Sequence, residues 1–181
     1  MKRFLKKPFL VLVFVLFGMQ ILQAQFFKKY FYYEGEVGGI TSFFVKDTEN
    51  NTHVFSIGGL SFRGGLGIHN DEGSLFLGIH SGIEGNFRHD TGILPVYLNS
   101  KVALGIDAKS KLILSFGYGK SFQIGPENYH GFLRKYTLGF ANVTDKENIE
   151  TYFIEINNHG FNFPDGVSAT TLNIGFTYTF L

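Results

Sequence analysis

The sequence predicts an all-β chain: an eight-stranded antiparallel up-and-down transmembrane β-barrel preceded by a cleavable leader. Three observations carry this. The stretch TTLNIGFTYTFL sets Thr170, Leu172, Ile174, Phe176, Tyr178 and Phe180 on one side and Thr171, Asn173, Gly175, Thr177 and Thr179 on the other, because successive strand side chains point to opposite faces. A spanning strand needs about 9–11 tilted residues, and the aromatics crowd the end of this one, where a bilayer interface would lie. Second, seven earlier segments alternate in the same way between turn signals. Third, 22 Phe, 9 Tyr and 23 Gly in 181 residues give the mixed composition of a barrel whose apolar and polar positions interleave.

The first strand runs from Phe31 to Phe44, with Tyr33, Val37 and Phe43 on one face and Glu34, Glu36 and Ser42 on the other. After the polar stretch Lys46 to Thr52, a second strand carries Val54, Leu60, Phe62, Leu66 and Ile68 opposite Ser61, Arg63, Gly65, Gly67 and His69. Asn70 to Gly73 reads as a turn. The third strand opposes Leu75, Leu77, Ile79 and Ile83 to Phe76, Gly78, His80, Gly82, Glu84 and Arg88. Beyond a loop at His89 to Gly92, the fourth opposes Leu94, Val96, Leu98, Val102 and Leu104 to Tyr97, Asn99, Lys101 and Ala103. A tight turn at Ala108, Lys109 and Ser110 is expected to set Asp107 across from Lys111. The fifth strand pits Leu112, Leu114, Phe116, Tyr118 and Phe122 against Ser115, Gly117, Gly119 and Ser121. The sixth pits Phe132, Tyr136, Leu138 and Phe140 against Lys135, Thr137, Gly139 and Ala141, and the seventh Tyr152, Ile154 and Ile156 against Thr151, Phe153, Glu155 and Asn157. Asn158 to Ser168 is the longest expected loop.

Residues 1–24 are read as a signal peptide and 25–181 as the barrel. Lys2, Arg3, Lys6 and Lys7 form a basic start, Phe9 to Phe17 is unbroken apolar, and Ala24 offers a small residue for cleavage. The alternative is an uncleaved anchor, opposed by Gln20 and Gln23, which interrupt the run before ~18 apolar residues accumulate. Loss of the leader takes four of 16 Lys and Arg, leaving 12 against 15 Asp and Glu. A mildly acidic mature chain argues against a nucleic-acid partner. The absence of Cys excludes disulfides, thiolate metal sites, cysteine nucleophiles and a lipidated Cys.

Alternation alone leaves open a soluble lipocalin-like barrel with its apolar face inward. Volume favours the membrane: an eight-stranded lumen is just filled by side chains, and about five large apolar residues per strand would overfill it. The polar set, interleaved with Gly65, Gly67, Gly78, Gly82, Gly117, Gly119 and Gly175, suits a crowded interior.

Leader, eight amphipathic strands and a last strand GFTYTF together resemble the small eight-stranded outer-membrane barrels, of the outer-membrane protein A transmembrane-domain type, without a periplasmic domain. The family ends on the aromatic, here penultimate as Phe180. The resemblance implies a multi-pass barrel of the cell outer membrane, in contact with outer-membrane lipid and lipopolysaccharide. It also implies recognition of the C-terminal strand by the barrel-insertion machinery, with outer loops open to a protein partner.

With the polar face inside, Glu34, Glu36, Glu84 and Glu155 meet Arg63, Arg88, Lys101 and Lys135, with His80 as a further member. Charges removed from water need partners, so these residues are expected to form a closed ion network rather than line an open pore. Hairpin counting sets Arg63 opposite His80 and Glu34, Lys101 across from His80, and Lys135 diagonal to Glu155. Ser61, His80 and Glu84 have the types of a nucleophile, a base and its orienter. The lipid A deacylases that the chain resembles in size carry His and Ser two apart on the lipid face, whereas His80 and Ser81 are adjacent. His53, His69, His89, His130 and His159 lack ligand spacing, so no metal and no cofactor is expected. On the outward face, Lys120 and Arg134 are diagonal neighbours near the outer strand ends, placed for lipopolysaccharide phosphates or as snorkelling side chains.

The expected function is a structural or surface-interaction role in the envelope, without enzymatic activity. Passage of a small solute and a lipid A-modifying activity are the alternatives.

Overall fold

The computed structural model describes residues 29–42, 56–87, 91–125, 130–161 and 168–181. The expected leader, Phe43, Phe44, Val54, Arg88, His53 and His89 lie outside them. Eight strands follow in chain order: β1 (Phe31–Ser42), β2 (Ser56–His69), β3 (Leu75–Asn86), β4 (Thr91–Gly105), β5 (Ser110–Ile124), β6 (His130–Val143), β7 (Ile149–Phe161) and β8 (Ser168–Phe180). Each pairs antiparallel with its sequence neighbours, and β1 pairs with β8, so the sheet closes and no edge remains.

Two expected connections change. Asn158 belongs to β7, which runs to Phe161, so the longest connection is 43–55 between β1 and β2 rather than Asn158 to Ser168. His159, expected at a rim, lies inside the barrel with 1% of its surface exposed.

Turn chemistry sets the register. Asn70 Oδ1 accepts the amides of Ser74 and Leu75 at 2.8 and 2.9 Å, and Gly73 takes a left-handed φ of 56°, open to glycine without steric cost. The turn therefore occupies Asn70 to Ser74, and His69 pairs with Phe76. That puts Arg63 opposite Gly82 and His80 opposite Gly65, two residues from the expected match. In β1 the same two-residue offset pairs Glu36, not Glu34, with Arg63. Gly92 is already in β4, paired with Gly85, so Lys101 faces Phe76 and His80 faces Tyr97. In the β4–β5 turn, Asp107 does not face Lys111, which pairs with Gly105. Its carboxylate instead accepts the amides of Lys109 and Ser110 at 2.8 and 2.7 Å.

Apolar residues line the outside. Leu66 is 61% exposed and Ile79 and Leu98 each 57%, within a belt that continues round all eight strands. So large an apolar surface is the mark of contact with lipid rather than water. Tyr33 stacks on Phe180 at 4.6 Å, and Tyr178 lies 4.6 Å from Phe180, an aromatic band at the end that holds the start of β1 and the end of β8. Barrels of this kind keep both termini on the inner side; on that convention this end is the inner one, and the end that leads into the 43–55 connection is the outer.

Candidate functional site: the sealed lumen

The lumen is closed at two levels. Nearest the inner end, Tyr32, Phe76, Ala103, Ile113, Ala141 and Ile149 form an apolar layer, and Leu181 packs against it. Tyr32 and Phe76 meet edge to face at 5.3 Å, a favoured aromatic geometry. These residues occupy the inward parity, where the sequence reading had credited mainly polar residues. Their signal was apolar side chains out of phase with their strands, at Tyr32, Ile113 and Ile149.

Above this layer lie the charges. Arg63 of β2 reaches Glu36 at 2.8 Å, Glu155 at 2.5 Å and Glu84 at 3.7 Å. Lys135 of β6 reaches Glu36 at 2.9 Å and Glu155 at 2.7 Å, and donates to the Tyr97 hydroxyl at 3.2 Å. Lys135 pairs with Asn157, which sets it diagonal to Glu155. Glu155 is the hub: Thr137, Asn157 and Asn173 also donate to its two oxygens at 2.8–3.1 Å. Such saturation is what a buried carboxylate needs. Lys101 bonds to Glu34, which also accepts from Thr179 at 2.8 Å. His80 faces Glu34 at 3.5 Å, approaches the Tyr32 hydroxyl at 3.3 Å and stacks on Tyr97 at 5.4 Å. Arg88 lies outside the described residues. The neutral members, Tyr97, Asn157, Asn173 and Thr179, stand on the inward face that alternation assigns them but were not expected in the network, because a search for charges passes over neutral donors.

Glycines make this packing fit. A Cβ on Gly65 would lie 2.3 Å from the His80 ring, one on Gly78 2.3 Å from the Tyr32 hydroxyl, and one on Gly117 2.9 Å from the Tyr97 ring. Between the layers a void of about 20 Å³ remains, lined by Glu34, Glu36, Lys101, Lys135 and Thr177 among others. It has room for about one water.

The triad types weighed from sequence do not converge. Ser61 donates to the Gly38 carbonyl at 3.3 Å, and His80 is committed to Glu34 and Tyr32. Another serine–histidine–glutamate chain exists: Ser121 Oγ lies 2.8 Å from His159 Nδ1, and His159 Nε2 lies 3.4 Å from Glu84. Ser121 has no exposed surface and Glu84 also faces Arg63, so the chain satisfies buried polar groups and presents no nucleophile to a substrate. Among the described residues no group of three or more His, Asp or Glu is placed to hold a metal.

Lys120 and Arg134 face outward, each four residues from the outer end of its strand. A lysine or arginine on the lipid face costs about 2–4 kcal/mol at mid-bilayer and about 0–1 near the interface, and the outer third is where such side chains are tolerated.

No protein-family model and no curated protein matches the sequence. Among solved structures the chain is similar to Neisserial surface protein A, NspA, with a TM-score of 0.58 at 11% identity, covering 82% of this chain and 95% of that one. Looser likenesses are to a de novo designed transmembrane β-barrel, at TM-score 0.44, 12% identity and coverage of 84% and 96%. Ail, the attachment invasion locus protein of Yersinia pestis, gives TM-score 0.41, 12% identity and coverage of 83% and 97%. Taken with NspA alone, the likeness is one of architecture: the protein has the fold of a small, outer-membrane-type eight-stranded barrel.

Proposed function

We propose that the protein is an integral barrel of the outer membrane, delivered by residues 1–24 as a leader, which acts as a structural or surface-interaction component of the envelope. The observation that carries this reading is the double seal. An apolar layer and a buried network of paired charges block the lumen in series, and the intervening void has room for about one water. A passage for solutes would have to part both, and an enzyme would need a nucleophile that a substrate can reach. Interaction then falls to the outer rim, where the 43–55 connection supplies the longest stretch of chain.

Two measurements test this. Gel mobility of the outer-membrane fraction should shift on boiling, as a folded barrel resists detergent until heated. In planar bilayers the wild-type protein should give no stepwise conductance. Arg63→Ala and Lys101→Ala should lower the unfolding temperature by leaving buried carboxylates without their partners, and should still not conduct, because the apolar layer stands. Conductance by the wild type would overturn the sealed-lumen reading.

A further inference from the structure

We propose that the outer half of the β5–β7 wall carries a binding site for a phosphate of an outer-leaflet glycolipid, gripped by Lys120 and Arg134. The inference rests on the outer-membrane placement above.

Lys120 pairs with Phe132 and Arg134 with Tyr118, so the two cations are diagonal cross-strand neighbours. Such positions lie about 7–8 Å apart, a separation that two long side chains close around a single phosphate. Both side chains are exposed, and among the described residues neither belongs to an ion pair. The outward-facing carboxylate of these strands, Glu150, sits at the inner end of β7, across from Asn142 and Tyr178.

The arginine is also held in place. A Cβ on Gly160 would lie 2.1 Å from the Phe132 ring, so that ring lies over the glycine of the next strand. The Arg134 guanidinium in turn rests on Phe132 at 4.9 Å, in cation–π contact. Beside it the pair of Arg134 is Asn158, whose amide donates to Thr170 Oγ1 at 3.0 Å. Two cations, a carboxamide and a hydroxyl therefore share one level of a wall that is otherwise apolar.

The chemistry selects the occupant. Guanidinium and ammonium groups form charge-assisted bonds to phosphate oxygens, and the flanking Val96, Tyr118 and Phe132 offer surface to acyl chains. A phosphorylated, multiply acylated glycolipid satisfies both, whereas free phosphate satisfies the first alone.

The test is native mass spectrometry of the full protein in detergent micelles, titrated with diphosphoryl lipid A and with its dephosphorylated form carrying the same acyl chains. Retention of the phosphorylated lipid should exceed that of the other by at least tenfold. Lys120→Gln combined with Arg134→Gln should remove that preference, while Lys109→Ala in an inner turn leaves it intact. The gel shift on boiling reports whether the double variant folds, and the two-lipid comparison on the wild type stands without it. Equal retention of the two lipids, an unchanged preference in a folded double variant, or full release by millimolar inorganic phosphate would each overturn the site. Failure of the outer-membrane reading shows elsewhere, as loss of the boiling shift and absence from that membrane fraction.

Discussion

The two levels of the lumen close the same cylinder by opposite physics. The apolar layer of Tyr32, Phe76, Ala103, Ile113, Ala141 and Ile149 stabilises by burial and tolerates any filling of similar volume. The ionic layer around Glu155 takes charges out of water, and such an arrangement is close to neutral against an apolar one of the same shape. Its value is geometric: each charge has one set of partners, supplied by β1, β2, β6, β7 and β8. Burial fills the barrel, and the charges specify it.

The largest expected effect lies in the ionic layer. Glu155→Ala strands Arg63 and Lys135 together and should cost about 3–5 kcal/mol, read as a fall in urea midpoint. Glu155→Gln, which keeps one acceptor for the same neighbours, should cost less, and equal losses would mean that the charge of Glu155 is not what matters. Phe76→Ala comes next. It opens a cavity beside Tyr32, removes the ring over which Lys101 lies at 5.2 Å, and should cost about 3 kcal/mol, read in the same urea titration. Gly65→Ala tests the joint between the two layers: its methyl displaces the His80 ring and should cost about 2 kcal/mol.

The smallest effect lies in a turn outside both layers. The amides of Lys109 and Ser110 hold the Asp107 carboxyl below its ordinary range. A depressed value contributes stability at neutral pH that is lost as pH falls through the folded-state value. Asp107→Asn should therefore lower the unfolding temperature slightly at pH 7 and converge with the wild type at acid pH. A difference that is constant with pH would show that the turn does not depend on the charge.

The faces of the barrel were legible because strand parity is a local property: Leu66 and Ile79 point outward and Glu34 and Lys101 inward from alternation alone. Register was not, since it depends on how many residues a turn consumes. Asn70 captures two amides and lengthens its turn, and the β3–β4 connection falls at 87–90, two residues earlier than expected, and these shifts moved Arg63 and Lys101 away from His80. The charges still found partners, because Lys101 reaches across the lumen to Glu34 instead of along the sheet. His159 and Ser121 were invisible as a pair, lying on β5 and β7 with no sequence spacing in common.

The seam between β1 and β8 gives the network a role in assembly. Glu34, on the first strand, accepts from Thr179 on the last and from Lys101 on the fourth, and Glu34 and Thr179 are also direct partners across the seam. A slip by one residue would turn Thr179 toward lipid, and a slip by two would carry it along the barrel axis away from Glu34. Either leaves Glu34 with less of its shell in a dry interior. The inward acids of β1 thus proofread closure, so that the chain seals in the register that neutralises them.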